Sequence, residues 1–323
     1  MDIIKKLSRS IREYKMVSIM TPVCIVFEVI FEILIPFMMA KMIDSGISSG
    51  NESALVKYGT LLILCVMAGL VFGILSGGLC ATASAGFAKN LRKDMYYKIQ
   101  EYSFANIDKF SSSSIVTRLT TDVTNVQNAY MMIIRIAVRA PFMLIFALIA
   151  AFMTSTKLSL IFLIAIPVLG IGLYIIVSRS HIYFERVFKI YDNLNEVVEE
   201  NLTGMRVVKS FVREDFEEKK FTRVSEAIYK MFLKAEGIVA YNMPLMQFCI
   251  YSCMLFLCWF GARMIITSGA TALTTGELTS LIAYAMTILN CLMMLSMVMV
   301  MINMARASAE RIVEILDEES TLH

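Results

Sequence analysis

Residues 204–215 read GMRVVKSFVRED and sit in the middle of a polar, charge-rich stretch, about 179–237, that separates two long apolar runs. A second stretch of the same kind covers about 81–128. The rest of the chain is apolar: 58% of its 323 residues are hydrophobic and the mean hydropathy is +0.68. Such values exclude an ordinary soluble domain and a disordered or collagen-like chain. Runs long enough to cross a bilayer centre on 17–40, 54–80, 136–156, 157–178, 239–264 and 279–302. The first is a full span without a small-residue cleavage site, so it does not read as a signal peptide. The predicted fold is an all-α membrane protein, six transmembrane helices with long extensions on one side.

Basic residues set the orientation. Lys5, Lys6, Arg9, Arg12 and Lys15 precede the first span, and the first arm carries Lys89, Arg92, Lys93, Lys98, Lys109 and Arg118. The second arm adds a longer series from Arg179 to Lys234, whereas the opposite side holds Lys41, Lys57, Lys157 and Arg263. Both termini and both arms are therefore predicted to be cytoplasmic, in a multi-pass protein of the cell membrane. The net charge of +3 follows from that topology. Acidic residues run through both arms, so the charge is no argument for nucleic acid.

Helical patterning in the first arm runs from Ala81 to about Tyr102, breaks near Asn106–Ser114 and resumes at Ile115. The second arm breaks near Gly204–Glu217. About 20 helical residues reach ~30 Å beyond the membrane, and neither arm has the composition of a flexible linker. Each reads as two helices joined at a tip. Residues 1–16 place Ile3, Ile4, Leu7, Ile11 and Tyr14 on one face among lysines and arginines, the pattern of an interfacial amphipathic helix. The expected division is 1–16 interfacial helix, 17–304 membrane domain and 305–323 the start of a linker.

Catalytic chemistry is not visible. The chain has no GxxxxGK[ST] phosphate loop, HExxH or GxSxG motif. Its seven cysteines lie in the spans without a CxxC pair, and its two histidines are His181 and His323. No metal site or disulfide framework is predicted.

Several polar residues lie inside the spans. Glu28 and Glu32 are one turn apart in span one, where a carboxylate is costly unless it faces a cavity or a partner. Two readings stand: a site for a cationic substrate or a proton-sensitive gate, and a structural ion pair with a neighbouring span. Glu28, the deeper, is the better cavity candidate of the two. Arg135 and Arg139 near the start of span three can snorkel to the headgroups, and that depth gives no reason to pair Arg139 with Glu28; substrate contact is the alternative. Gln247, Asn290 and Asn303 are the polar candidates in the last two spans. Met294 and Met297 belong to a methionine-rich run that suits an adaptable binding surface or ordinary packing. Gly69, Gly73, Gly77, Ala81 and Ala85 form a small-residue ridge for close helix contact.

The arm tips are the most specific part. Ile107-Asp108-Lys109-Phe110-Ser111, followed by Ile115-Val116-Thr117-Arg118-Leu119-Thr120-Thr121-Asp122, resembles the first intracellular loop of ABC exporters, with Ser113 where that family usually has glycine. Gly204–Asp215 resembles the family's G-x-R-V-V-K-A-F-x-x-E-D segment. Pro36 with Asp44-Ser45-Gly46, and Ala307-Ser308-Ala309-Glu310-Arg311-Ile312, extend the resemblance over nearly the whole chain. Leu75-Ser76-Gly77-Gly78-Leu79 carries the letters of an ATPase signature but lies inside an apolar helix, so it reads as helix packing.

The resemblance implies the membrane domain of a multidrug-type half-transporter, with bacterial leanings. It implies one coupling helix at Asn106, Ile107, Asp108, Lys109 and Phe110, and a second at Ser210, Phe211, Val212, Arg213, Glu214 and Asp215. Both would dock on nucleotide-binding domains, Ile107 and Phe211 as apolar anchors, with Asp108, Arg213 and Glu214 at the rim. The implied partners are those domains, a second half-transporter as homo- or heterodimer, the bilayer and an amphipathic small-molecule substrate. Candidate cavity residues are Glu28, Glu32, Arg139, Gln247, Asn290, Met294 and Met297. ATP and Mg would be bound by the nucleotide-binding domain and no cofactor by this chain. In the family that domain follows the segment matching Ile315-Leu316-Asp317, so an end at His323 implies a truncated form or an isolated domain. The expected activity is export of amphipathic, multidrug-like compounds from the cytoplasm by alternating access. A peptide or lipid exporter of the same fold stays open, and a secondary transporter is the reading from another class.

Overall fold

The computed structural model describes residues 2–319. Among them six helices are long and apolar enough to cross a membrane, and every regular element is helical. A short α1 (Asp2–Ser8) and a tighter turn (Arg9–Tyr14) lead into α2 (Lys15–Met42). Then come α3 (Glu52–Gln100), the short α4 (Phe104–Phe110) and α5 (Ser112–Thr117), and α6 (Val123–Thr154). α7 (Thr156–Thr203), a short α8 (Met205–Ser210), α9 (Glu214–Val239), α10 (Asn242–Ser268) and α11 (Thr275–Asp317) complete the chain.

Lipid offers the backbone no hydrogen-bond partner, so each span must satisfy its own amides and carbonyls. Pro22, Pro36, Pro141 and Pro167 accordingly lie inside continuous helices. The helices also continue past the bilayer. α3 has 49 residues and α7 has 48, about 70 Å each where a hydrocarbon core needs ~30 Å.

The chain falls into two compact units, one built from the stretches up to Leu163 and from Cys253 onward, the other from Ile164–Ser252. In the first unit α2, α3, α6 and α11 pack together. Outside the spans its core joins Phe87, Leu91 and Met95 of α3 to Tyr102, Phe110, Ile115, Val123, Ile312 and Ile315. Leu7 is buried in the same cluster, with Ile3 and Ile11 packed against it. The apolar stripe of the N-terminal segment is thus turned partly onto protein, while Ile4 stays exposed. Tyr14 lies flat over Gly86, where any Cβ would collide with its ring. In the second unit Phe184 and Tyr191 of α7 meet Phe232 of α9 edge to face.

At the far end of α2 the chain widens into a π-helical turn (Ile43–Ile47) that presents Asp44 to the start of α11. The Thr274 hydroxyl donates to Asp44 Oδ2 at 2.6 Å and the Gly276 amide to Oδ1 at 2.9 Å. Thr274 and Glu277 close a reciprocal capping box on the same turn. A carboxylate facing free amides at a helix N-terminus is favoured by the helix dipole. Gly276 has to be glycine here, because a Cβ would stand 2.7 Å from Asp44 Oδ2 and overlap the Ala40 carbonyl. Asp44→Ala is therefore expected to cost about 1–2 kcal/mol and Asp44→Asn less, read as unfolding midpoints in detergent. Equal midpoints for Asp44→Ala and wild type would dismiss the cap as a stabilising contact.

Candidate functional site

Glu28 and Glu32 extend from one face of α2 toward α6, where a single guanidinium meets both. Arg139 Nη1 donates to Glu28 Oε1, and Nη2 donates to Glu32 Oε2 at 2.5 Å. Glu28 Oε2 also accepts from the Ser76 hydroxyl of α3 at 3.1 Å. The expectation that Arg139 would snorkel away from Glu28 is corrected: α2 and α6 lie side by side, and the guanidinium reaches the carboxylates. Two carboxylates on the facing helix, one nearly enclosed and one nearly half exposed, give it a stronger pull than headgroups several residues away. The small-residue ridge of α3 makes the room. Gly69 faces Phe31, Gly73 faces the Glu28 carboxylate at 3.4 Å from a would-be Cβ, and Gly77 faces the guanidinium of Arg135. Ser76, on the same turns, reads from sequence as part of a packing ridge. Its hydroxyl is a ligand of the triad.

The triad members differ in exposure. The Glu28 side chain is 13% exposed and the Glu32 side chain 44%. Asn290, Met294 and Met297 share an exposed face of α11 in the same unit. Gln247 is exposed on the part of α10 that belongs to the second unit. The Asn303 side chain lies outside the described residues, as does that of Asp108. No cluster of three metal-ligating side chains occurs among the described residues.

The first tip is α4. Ser103 caps it by accepting from the Asn106 amide, and the Asn106 side chain returns to the Ser103 backbone. Asn106 and Phe110 are buried, and Ile107 packs against the core cluster, so the apolar residue that projects from this tip is Phe104, 87% exposed. The tip expected from sequence starts at Asn106, two residues after Phe104. The Ser103-x-x-Asn106 capping pattern was the available signal, since it starts the helix at Phe104. The turn after α4 is made by Ser111, at φ 54°, and Ser113 lies within α5. The absent glycine is therefore not needed at 113.

A dense polar seam ties this tip to the end of α11. The Tyr102 hydroxyl donates to the Ile315 carbonyl at 2.7 Å, and Lys109 donates to Glu318 at 2.8 Å. Asn106 Nδ2 donates to Glu318 at 3.0 Å, and Arg118 donates to the Arg311 carbonyl at 2.8 Å and to Glu314 at 2.7 Å. Arg311 grips the buried Asp122 with both of its donors, Nε at 2.8 Å and Nη2. The hydrogen bond from Lys109 holds the Glu318 carboxyl below its ordinary value. Burial, reinforced by the Glu318 charge, pushes the Tyr102 phenol up to about 12.

The second tip is α8 with the turn after it. Phe211 is 72% exposed, Val212 turns through φ 51°, and Arg213 and Asp215 are also exposed. Glu214 opens α9 and pairs with Lys209 across the turn at 3.0 Å. Beside it Val198, Leu202, Met205, Val208 and Phe221 line a groove of about 500 Å³.

Six long apolar helices, two of whose connections end in short tip helices, define a multi-pass membrane domain of the transporter kind. A family model described as the ABC transporter transmembrane region matches residues 18–293, and the chain belongs to that family. Over 284 residues it is 32% identical to the uncharacterized ABC transporter ATP-binding protein YfiB of Bacillus subtilis (strain 168), covering 88% of this chain and 49% of the relative. It is 27% identical to the uncharacterized ABC transporter ATP-binding protein MT1311 of Mycobacterium tuberculosis over 98% of this chain and 54% of the relative. The ATP-dependent lipid A-core flippase of Pseudoalteromonas translucida is 24% identical over 87% of this chain and 48% of its own. The chain spans about half the length of the curated relatives it matches.

Two predictions follow from the seam. Asp122→Asn and Arg311→Gln should each cost about 1–3 kcal/mol, while the double variant costs clearly less than their sum; additive losses in thermal unfolding would mean the two side chains act independently. Tyr102 ionises near 10 when unfolded and near 12 when folded, so its contribution is full below about pH 10 and is lost as pH rises toward 12. A Tyr102→Phe variant should lose less stability than wild type over that window, and parallel pH curves would contradict this.

Proposed function

We propose that this chain is the membrane half of an ATP-driven exporter that moves amphipathic compounds out of the cytoplasm by alternating access. What carries this reading is the pair of short tip helices at the ends of helices too long for a bilayer, each presenting an exposed aromatic, Phe104 and Phe211. A rigid lever with an apolar knob suits docking into a groove on a motor domain, and a switch needs such an element joined to a bistable membrane region. The motor is a nucleotide-binding domain that binds ATP and Mg, in the same polypeptide or another. The ATP-binding names of the relatives and the absence of a phosphate loop from residues 1–323 support that division of labour.

Two membrane halves, identical or different, form the substrate cavity, with Glu28, Glu32, Arg139, Asn290, Met294 and Met297 as its candidate lining from the first unit. The basic residues before α2 and along both arms favour cytoplasmic termini and arms in the plasma membrane of a bacterium. Lipid export is the second reading, supported by the similarity to a lipid A-core flippase. Phe211→Ala in the intact transporter is expected to leave basal ATPase activity and lower substrate transport per ATP by about tenfold. Wild-type transport in that variant, with unchanged substrate stimulation of the ATPase, would remove the second tip from the coupling path.

A further inference from the structure

The charged triad is unevenly matched. Glu28 has both oxygens engaged, one by Arg139 and one by Ser76, and is nearly enclosed. Glu32 has one oxygen on Arg139, while among the described residues its Oε1 has no partner and its side chain is nearly half exposed. One guanidinium therefore serves two carboxylates. Arg135 does not make up the deficit: it lies beside Gly77, one turn from Arg139 on the side away from Glu32, and forms no ion pair among the described residues. An exposed, half-paired carboxylate at this depth is costly unless a cavity brings it a cation or a proton.

Its surroundings say which kind of cation. Phe27 and Phe31 of α2 stack on Phe72 of α3, with ring centroids 5.2 and 5.8 Å apart. α11 packs against both α2, which carries Glu32, and α6, which carries Arg139. Asn290, Met294 and Met297 share an exposed face of α11. Rings on the helix that carries Glu32 and exposed thioethers on α11, which packs against that helix, suit a monovalent organic cation with an apolar body. They do not suit a hydrated metal ion, which needs several oxygen ligands.

Resting on the exporter reading above, we infer that Glu32, not the deeper Glu28, is the cation-accepting group of the cavity, and that Arg139 is its displaceable internal counter-ion. An amphipathic cation takes the Glu32 carboxylate from Arg139, which keeps Glu28. The charge count of the site is then balanced in the loaded state, and the empty state is held closed by the Arg139–Glu32 bond. Neutral amphiphiles use the same apolar walls without this exchange, so Glu32 sets the preference between the two classes.

The test measures binding to the intact transporter in nanodiscs, with tetraphenylphosphonium as the permanent cation and triphenylphosphine oxide as a neutral ligand of similar bulk. Glu32→Gln should weaken the cation by at least about tenfold while the neutral ligand stays within about twofold. Glu32→Asp should recover most of the loss. Glu28→Gln should lower the unfolding midpoint and move both ligands together. Unchanged cation affinity in Glu32→Gln, or equal weakening of both ligands, would overturn the assignment. A wild-type protein that binds the neutral ligand but not the cation would overturn it alone; one that binds neither would overturn the amphipathic-substrate reading as well.

Discussion

A peptide group inside a bilayer must find its hydrogen bond within its own helix, and most of this structure follows from that constraint. The spans cannot bend into loops until they leave the lipid. Because the residues that follow are good helix formers, α3 and α7 keep going, carrying the helical ladder far past the membrane. The tips are then the first places where the chain can turn. Their residues are those that end or restart helices: Ser103 and Asn106 as reciprocal caps, Ser111 and Val212 at positive φ.

Charge placement follows the same solvent logic. Within the spans, charge is tolerated where a neighbouring helix answers it, and glycines on α3 let Glu28 approach Ser76 closely enough for that. Outside the lipid, polar groups become the fastening. Asp122–Arg311, Arg118–Glu314 and Lys109–Glu318 bind the first arm to the end of α11 around a shared apolar core. Lys109 and Asn106, which the sequence offered as contacts for a separate domain, are engaged by the chain's own Glu318. The first tip is left with Phe104 as its outward apolar residue, while Ile107 packs against the core cluster.

The six spans, the broken arms and the family were legible because each rests on local patterning: apolar length, basic flanks, and motif residues at fixed spacing. Helix breaks near Asn106–Ser114 and Gly204–Glu217 could be read from the loss of periodicity, and the structure interrupts its helices there. Depth was harder to read. The depth read for Arg139 gives no reason to pair it with Glu28, because position along one helix carries no knowledge of how its neighbour is staggered. The same blindness hid Ser76, whose role depends on a carboxylate 48 positions earlier in the chain.

By itself, then, the sequence determined how many times the chain crosses the membrane, which segments continue beyond it and where they turn, since those depend on hydropathy, propensity and caps within a few residues. Tertiary structure decided which charges meet. Whether Glu32 keeps a free oxygen, whether Asp122 is gripped by Arg311, and whether Phe104 or Ile107 projects from the tip all depend on the stagger and rotation of packed helices. Those are set by side-chain volume and small-residue contacts summed over whole helix faces, and no local stretch of sequence contains that sum.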